Sequence, residues 1–202
     1  MTDFKRARTS EQRSLRLSEL RSAARALLAD ASADEVSLRS IATQAGLAPS
    51  GVLRYAGSRE ELLLDVMDQE YRAWIAELDE MLDGPLPVDT IAAAIATTLV
   101  ARPALFGLIE ASPSLLRVLP AGTRALEQGL HNQAEFARVL DRALAVRLTA
   151  EHQALLVAGL HAIVAGAAGW SRQAVFVSTA DSAVRELFAL LLEGLRSRAA
   201  TP

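Results

Sequence analysis

The residues best placed to do chemistry lie between positions 37 and 59, and their chemistry is recognition, not bond making. Ala42, Gly46 and Val52 stand four and six residues apart, with Ile41, Ala45 and Leu47 filling the apolar positions between them. A small residue lets two helices cross closely, a glycine permits positive φ in a tight turn, and an apolar residue on the second helix packs back on the first. That arrangement leaves Pro49, Ser50, Gly51, Arg54 and Tyr55 facing outward. An α-helix fits the DNA major groove, where arginine reads guanine edges and small residues allow close approach. The Ala-x3-Gly spacing alone describes an ordinary helix corner.

Catalytic chemistry has no comparable starting point. There are no cysteines, which removes disulfides, thiolate metal sites and cysteine nucleophiles. His131, His152 and His161 have neither His-Glu-x2-His nor Glu-x2-His spacing, and Glu127 and His131 read as a surface pair. The sequence has no Gly-x-Ser-x-Gly elbow and no phosphate-cradling glycine loop. The expectation is a non-enzyme with no cofactor, no metal and no catalytic residue.

Charge divides the chain. Residues 1–59 carry ten basic and six acidic side chains, or +4, whereas the rest carries 11 basic and 18 acidic, or −7, within a total of −3. A basic segment on an acidic body is the asymmetry of a nucleic-acid reader joined to something else. Lys5, Arg6 and Arg8 read either as an arm on DNA or as a solubilising tail. No signal-peptide pattern follows Met1, so the expected location is the cytoplasm. The most apolar stretch, Ala154 to Trp170, is 17 residues interrupted by His161. A spanning helix needs about 20, so no membrane partner is expected.

These residues must be positioned by helices. Ala, Leu, Arg and Glu dominate, and apolar residues recur at three and four, which predicts an all-α chain of about nine helices. Leu17, Leu20, Ala24, Leu27 and Leu28 stripe the first, with Thr9 and Gln12 as its capping box and Arg13, Arg16, Arg21 and Arg25 largely off the stripe. Ser37 caps a second helix that Gly46 stops, and Pro49 opens a third ending near Gly57. Ser58 and Glu61 open a long helix reaching about Leu82. Helices near 88–101, 103–111 and 114–119 follow, punctuated by Pro103, Pro113 and Pro120. Three helices of roughly 20 to 25 residues complete the chain. Thr149 and Ser178 are the expected caps, and Val175-Phe176-Val177 is expected to be loop.

The run Ser37-Leu38-Arg39-Ser40-Ile41-Ala42-Thr43-Gln44-Ala45-Gly46-Leu47-Ala48-Pro49-Ser50, continued by Arg54-Tyr55-Ala56-Gly57-Ser58-Arg59-Glu60-Glu61-Leu62, closely resembles the DNA-binding segment of the TetR (tetracycline-repressor) family of bacterial transcriptional regulators. The resemblance covers about residues 10–65. It implies a three-helix helix-turn-helix head at 1–58, with its motif at about 37–56, and a helical ligand-binding and dimerisation body at 59–202. It further implies a repressor released from its double-stranded DNA operator by a small-molecule effector, whose identity the sequence does not give. Carried over by position, Ser37 would bond a phosphate and Arg39 would touch backbone or base. Pro49, Ser50, Gly51 and Arg54 would face the major groove, and Tyr55 and Arg59 would contact phosphates. Two positions depart from the family pattern: Leu53 stands where a tyrosine is common, and Ala56 where a phenylalanine is.

The body offers two surfaces. Ala158, Ala162 and Gly166 repeat every four residues beside Leu155, Ile163 and Ala167, and Val184, Leu187, Phe188, Leu191, Leu192 and Leu195 make a broad apolar face. These last two helices are the expected homodimer interface, as a four-helix bundle between two copies. The effector pocket is expected among the long fourth helix and the central helices. Its candidate walls are Trp74, Leu78, Leu105, Phe106, Leu108, Glu110, His131 and Phe136. The rival reading is a helical binding or scaffold protein that keeps the head's shape without specific DNA affinity.

Overall fold

Local capping signals set several of the helix boundaries. The computed structural model describes residues 2–119, 124–173 and 179–199. Among these residues there are nine helices and no strand: α1 Thr2–Leu28, α2 Leu38–Gln44, α3 Pro49–Ala56, α4 Arg59–Met81, α5 Val88–Val100, α6 Pro103–Arg117, α7 Arg124–Leu144, α8 Ala150–Gln173 and α9 Ala180–Ala199. Ser37 caps α2 in a reciprocal box with Ser40, and Ser58 caps α4 by accepting from the Glu61 amide. Glu60 and Glu61 in the first turn of α4 suit its positive end. The Thr149 hydroxyl accepts from the His152 amide at 3.3 Å before α8. At α9 the Thr179 hydroxyl accepts from the Ser182 amide at 3.3 Å. The expected cap at Ser178, the break at Pro120 and the Val175-Phe176-Val177 loop lie outside the described residues.

Two boundaries differ from the sequence reading. Helix α1 starts at Thr2, so Thr9 lies inside it, because no glycine or proline interrupts the good helix formers ahead of it. Helix α6 runs through Pro113 instead of breaking there. Proline removes the N–H that would meet the carbonyl four residues back, which is that of Ile109. The buried Ser112 hydroxyl donates to that carbonyl at 2.8 Å, so the acceptor is satisfied and the helix continues.

The helices build two adjoining cores. Leu20, Ala24 and Leu28 of α1, Ile41 and Ala42 of α2, and Val52 of α3 pack with Leu62, Leu63 and Val66 from the first half of α4 and Leu108 and Leu115 of α6. The second core gathers Tyr71, Trp74 and Leu78 of α4, Ile91 and Ile95 of α5, Phe136 and Leu140 of α7, Leu156 and Leu160 of α8, and Phe188 and Leu192 of α9. Met67 packs against both. Ion pairs Arg21–Asp65 and Arg25–Glu70 fasten α1 to α4, so two arginines of the basic segment already have acidic partners within the chain.

Replacing Ser112 by alanine strands the Ile109 carbonyl in the interior and is expected to destabilise the fold by about 1–3 kcal/mol. Thermal unfolding should register a lower Tm, at roughly 2–4 °C per kcal/mol for a chain of this size. An unchanged Tm would mean that the proline-orphaned carbonyl needs no partner.

Candidate nucleic-acid interface and effector cavity

The turn between α2 and α3 is built as its spacing predicts. Gly46 takes φ +66°, its amide donates to the Thr43 carbonyl at 3.1 Å, and the Leu47 amide donates to the Ala42 carbonyl at 2.8 Å. These two bonds are a Schellman motif, which stops α2 and turns the chain sharply. Pro49 then begins α3, and Gly57, at φ +72°, ends it. Ala42 and Val52 are both fully buried where the two helices meet.

Burial fixes which face of α3 is free. Val52 and Ala56 point into the core, whereas Ser50, Leu53 and Arg54 are exposed along the opposite strip. Gly51 is half-buried. Leu53 is 52% exposed, a large apolar side chain that nothing in the subunit covers. The sequence reading noted Leu53 only as a departure; its position at i+3 from Ser50 was the signal that it shares the exposed strip. Ser37 and Arg39 are exposed at the start of α2, although the Ser37 hydroxyl is engaged as the cap.

Two of the expected phosphate contacts sit differently. Tyr55 is half-buried against the head core and borders a cleft with Leu17, Arg21 and Asp65. Arg59 is turned inward: its Nε donates to the Val36 carbonyl at 2.6 Å, its guanidinium also reaches the Ala33 carbonyl, and it pairs with Glu60 at 3.1 Å. The side chain ties the α1–α2 connection to α4, and a phosphate would compete with those bonds.

In the body, a cavity of about 410 Å³ lies between α4, α6, α7 and α8, with Met67, Tyr71, Ser112, Leu116, Leu130, Asn132 and His161 in its walls. The elements agree with the expected region, but the named residues do not line it. Trp74, Leu78, Leu105, Leu108 and Phe136 are fully buried packing residues. The Trp74 ring lies 5.1 Å from that of Phe136, and its indole N–H donates to Thr98 at 2.9 Å. Phe106 packs beside the body core, Glu110 is half-buried on α6, and His131 is exposed at a shallow cleft with Asp68 and Arg72. Periodicity identifies which residues face inward, but it does not separate those that close-pack from those that border a void.

The outer face of α8 and α9 is apolar and uncovered. Leu155, Ala158 and Ala162 of α8 and Leu190 and Gly194 of α9 border a shallow groove, and Leu190 is 67% exposed. Val184, Phe188, Leu192 and Leu195 of the expected interface instead pack inside the subunit. Helix α8 is long and apolar enough to cross a membrane by length and composition alone, and only 28% of that stretch is buried within the subunit.

Residues 20–66 match the family model of bacterial regulatory proteins, tetR family. That segment is a TetR-family domain. No curated protein matches the chain by sequence. Among solved structures it is similar to the fatty acid degradation regulator FadR from Bacillus halodurans, at 15% identity and a TM-score of 0.58, over 90% of this chain and 96% of that one. A TetR transcriptional regulator from Rhodococcus sp. RHA1 aligns at 22% identity and 0.57, over 89% and 96%. RolR, solved in complex with resorcinol, aligns at 21% and 0.54, over 96% and 97%. At these identities the likeness shows the fold alone, over most of the chain. A TetR head on a chain of that fold is the architecture of a DNA-binding transcriptional regulator.

Because Arg59 joins α4 to two carbonyls at the end of the α1–α2 connection, Arg59→Ala should lower the stability of the DNA-free protein by about 1–3 kcal/mol. Arg59→Lys should recover only part of it, since an ammonium lacks the planar fork. Urea denaturation of the three proteins tests this, and equal midpoints would return Arg59 to a role on DNA alone.

Proposed function

We propose that the chain is a homodimeric, ligand-responsive repressor that acts in the cytoplasm, with residues 1–58 reading an operator and residues 59–202 binding an effector and joining two copies. The observation that carries the reading is the exposed strip Ser50, Leu53 and Arg54 on α3, whose opposite face is locked in the core at Val52. A rigidly seated helix with a free face of one cation, one hydroxyl and one aliphatic side chain suits major-groove base edges. Arginine pairs with guanine O6 and N7, and an apolar side chain packs on the thymine methyl. Pro49 and Gly51 keep the start of the helix slim, while Ser37, Arg39 and Tyr55 serve the phosphates on either side. We assign Arg59 to holding the frame of the head.

The uncovered face of α8 and α9 supports the dimer. An apolar groove with leucines on its rim needs a cover, and a second copy supplies one by two-fold symmetry. Such a dimer presents two α3 helices to half-sites about 34–36 Å apart. This pairing, not a bilayer, is the proposed use of the apolar α8. The cavity between α4, α6, α7 and α8 is the proposed effector site, and RolR, of the same fold, holds resorcinol.

Selection of duplexes from a random pool, followed by titration of the winner at two salt concentrations, tests the DNA reading. The expected outcome is a palindromic site bound far more tightly than scrambled DNA, with log K falling as log salt rises. Arg54→Ala should flatten discrimination at one base pair per half-site by about 1–3 kcal/mol. No enrichment by a folded dimer would favour the scaffold reading. Leu190→Glu places a charge on the proposed interface and should convert dimer to monomer in sedimentation velocity, with loss of tight palindrome binding. A dimer that survives would place the interface elsewhere.

A further inference from the structure

The exposed strip of α3 holds a side chain that a DNA backbone cannot use. Leu53 is 52% exposed, and among the described residues it is the one exposed large apolar side chain on α2 or α3. It has no donor to offer a phosphate. The charge around it nevertheless calls for a polyanion. Helices α2 and α3 carry Arg39 and Arg54 and no carboxylate, and no Asp or Glu stands between Glu35 and Glu60.

Helix geometry places the leucine among the groups that would meet bases. At about 100° per residue, Leu53 and Arg54 lie on either side of Ser50, about 60° and 40° from it. Beside the strip, Gly51 has no positive φ, and a Cβ built on it would meet nothing within 4 Å. The subunit itself therefore has no use for a glycine there, where alanine would favour the helix by about 1 kcal/mol. A partner that approaches the backbone closely from outside does have a use for it.

Major-groove base edges present hydrogen-bonding groups and one aliphatic group, the C5-methyl of thymine. A leucine pressed on any other edge would take polar atoms out of water without pairing them. The same methyl stands on C5 of 5-methylcytosine. Leucine has no hydrogen-bonding atom with which to tell the O4 of one base from the N4 amine of the other.

We infer that Leu53 makes the head a reader of pyrimidine C5-methyl groups, which takes thymine or 5-methylcytosine at one position of each half-site in preference to the unmethylated bases. Operator affinity then responds to cytosine methylation at that position. The inference rests on the DNA reading of α3 above.

Anisotropy titration of the full-length protein with the selected duplex tests it, alongside Leu53→Ala. Each thymine of the half-site is replaced in turn by uracil, by cytosine and by 5-methylcytosine. One position is expected where uracil weakens binding about fourfold per half-site, or about 15-fold when both half-sites change, the worth of one buried methyl-sized group. At that position 5-methylcytosine should bind about fourfold more tightly per half-site than cytosine. Leu53→Ala should lose both preferences and bind the thymine duplex as the parent binds the uracil one. Its Tm should equal or exceed that of the parent, since the side chain is uncovered and alanine favours a helix. A uracil penalty of the same size in both proteins would belong to the DNA and overturn the assignment. So would a selected site with no methyl-sensitive thymine, or no gain from cytosine methylation, while tight binding of that site keeps the DNA reading standing. Failure to enrich any duplex overturns both.

Discussion

One unbroken helix has its side chains in both cores, and the rest of the molecule is arranged around that constraint. Leu62, Leu63, Leu64 and Val66 on the first half of α4 complete the head, while Tyr71, Trp74, Ile75 and Leu78 on the second half belong to the body. At 23 residues α4 is about 35 Å long, and nothing within it breaks its hydrogen bonds. Arg21 and Arg25 of α1 reach Asp65 and Glu70 on this helix, and Arg102 at the start of α6 pairs with Glu70 and with Glu77. Glu70 thus joins α1 and α6 through one carboxylate. The packing passes without a gap through residue 58, where the sequence reading divides head from body.

Helix α6 makes the second connection. Ala104, Leu108 and Leu115 face the head core, and Ser112 and Leu116 face the cavity. Two faces of one helix can serve two sites only if it stays helical across Pro113. The Ser112 hydroxyl on the Ile109 carbonyl is therefore part of how the cavity wall and the head core come to share an element.

The head was legible in the sequence because its determinants are local. Ser37, Gly46, Pro49, Gly57 and Ser58 each act within a few residues of themselves, and the structure uses each at the position expected. Arg59 was less legible: the carbonyls it holds, at Val36 and Ala33, lie 23 and 26 residues away, and no short spacing announces them. The same limit explains the body. Trp74, Leu78 and Phe136 read as pocket walls because they are large and inward-facing, yet a large side chain that packs well fills space instead of bordering it. The cavity that the structure does contain is bordered by Gly129 and Ala125, whose small size helps open the void. Pro113 read as a break because the serine that repairs its effect can only be recognised once the Ile109 carbonyl is known to be buried.

Any occupant of the cavity touches α4 at Met67 and Tyr71 and α6 at Ser112 and Leu116, which are the two helices that complete the head. Contact is not coupling: a ligand shifts an equilibrium only by its difference in affinity for the two states. The structure offers a place where such a difference can arise. Met67 packs against both cores, so a molecule that displaces it disturbs the head as well as the cavity. Allosteric couplings are typically about 1–3 kcal/mol, or 5–150-fold in affinity. The energy of repacking one partly buried methionine is of that order. Two helices shared between two cores therefore give the cavity and the head a common wall, without any separate moving part.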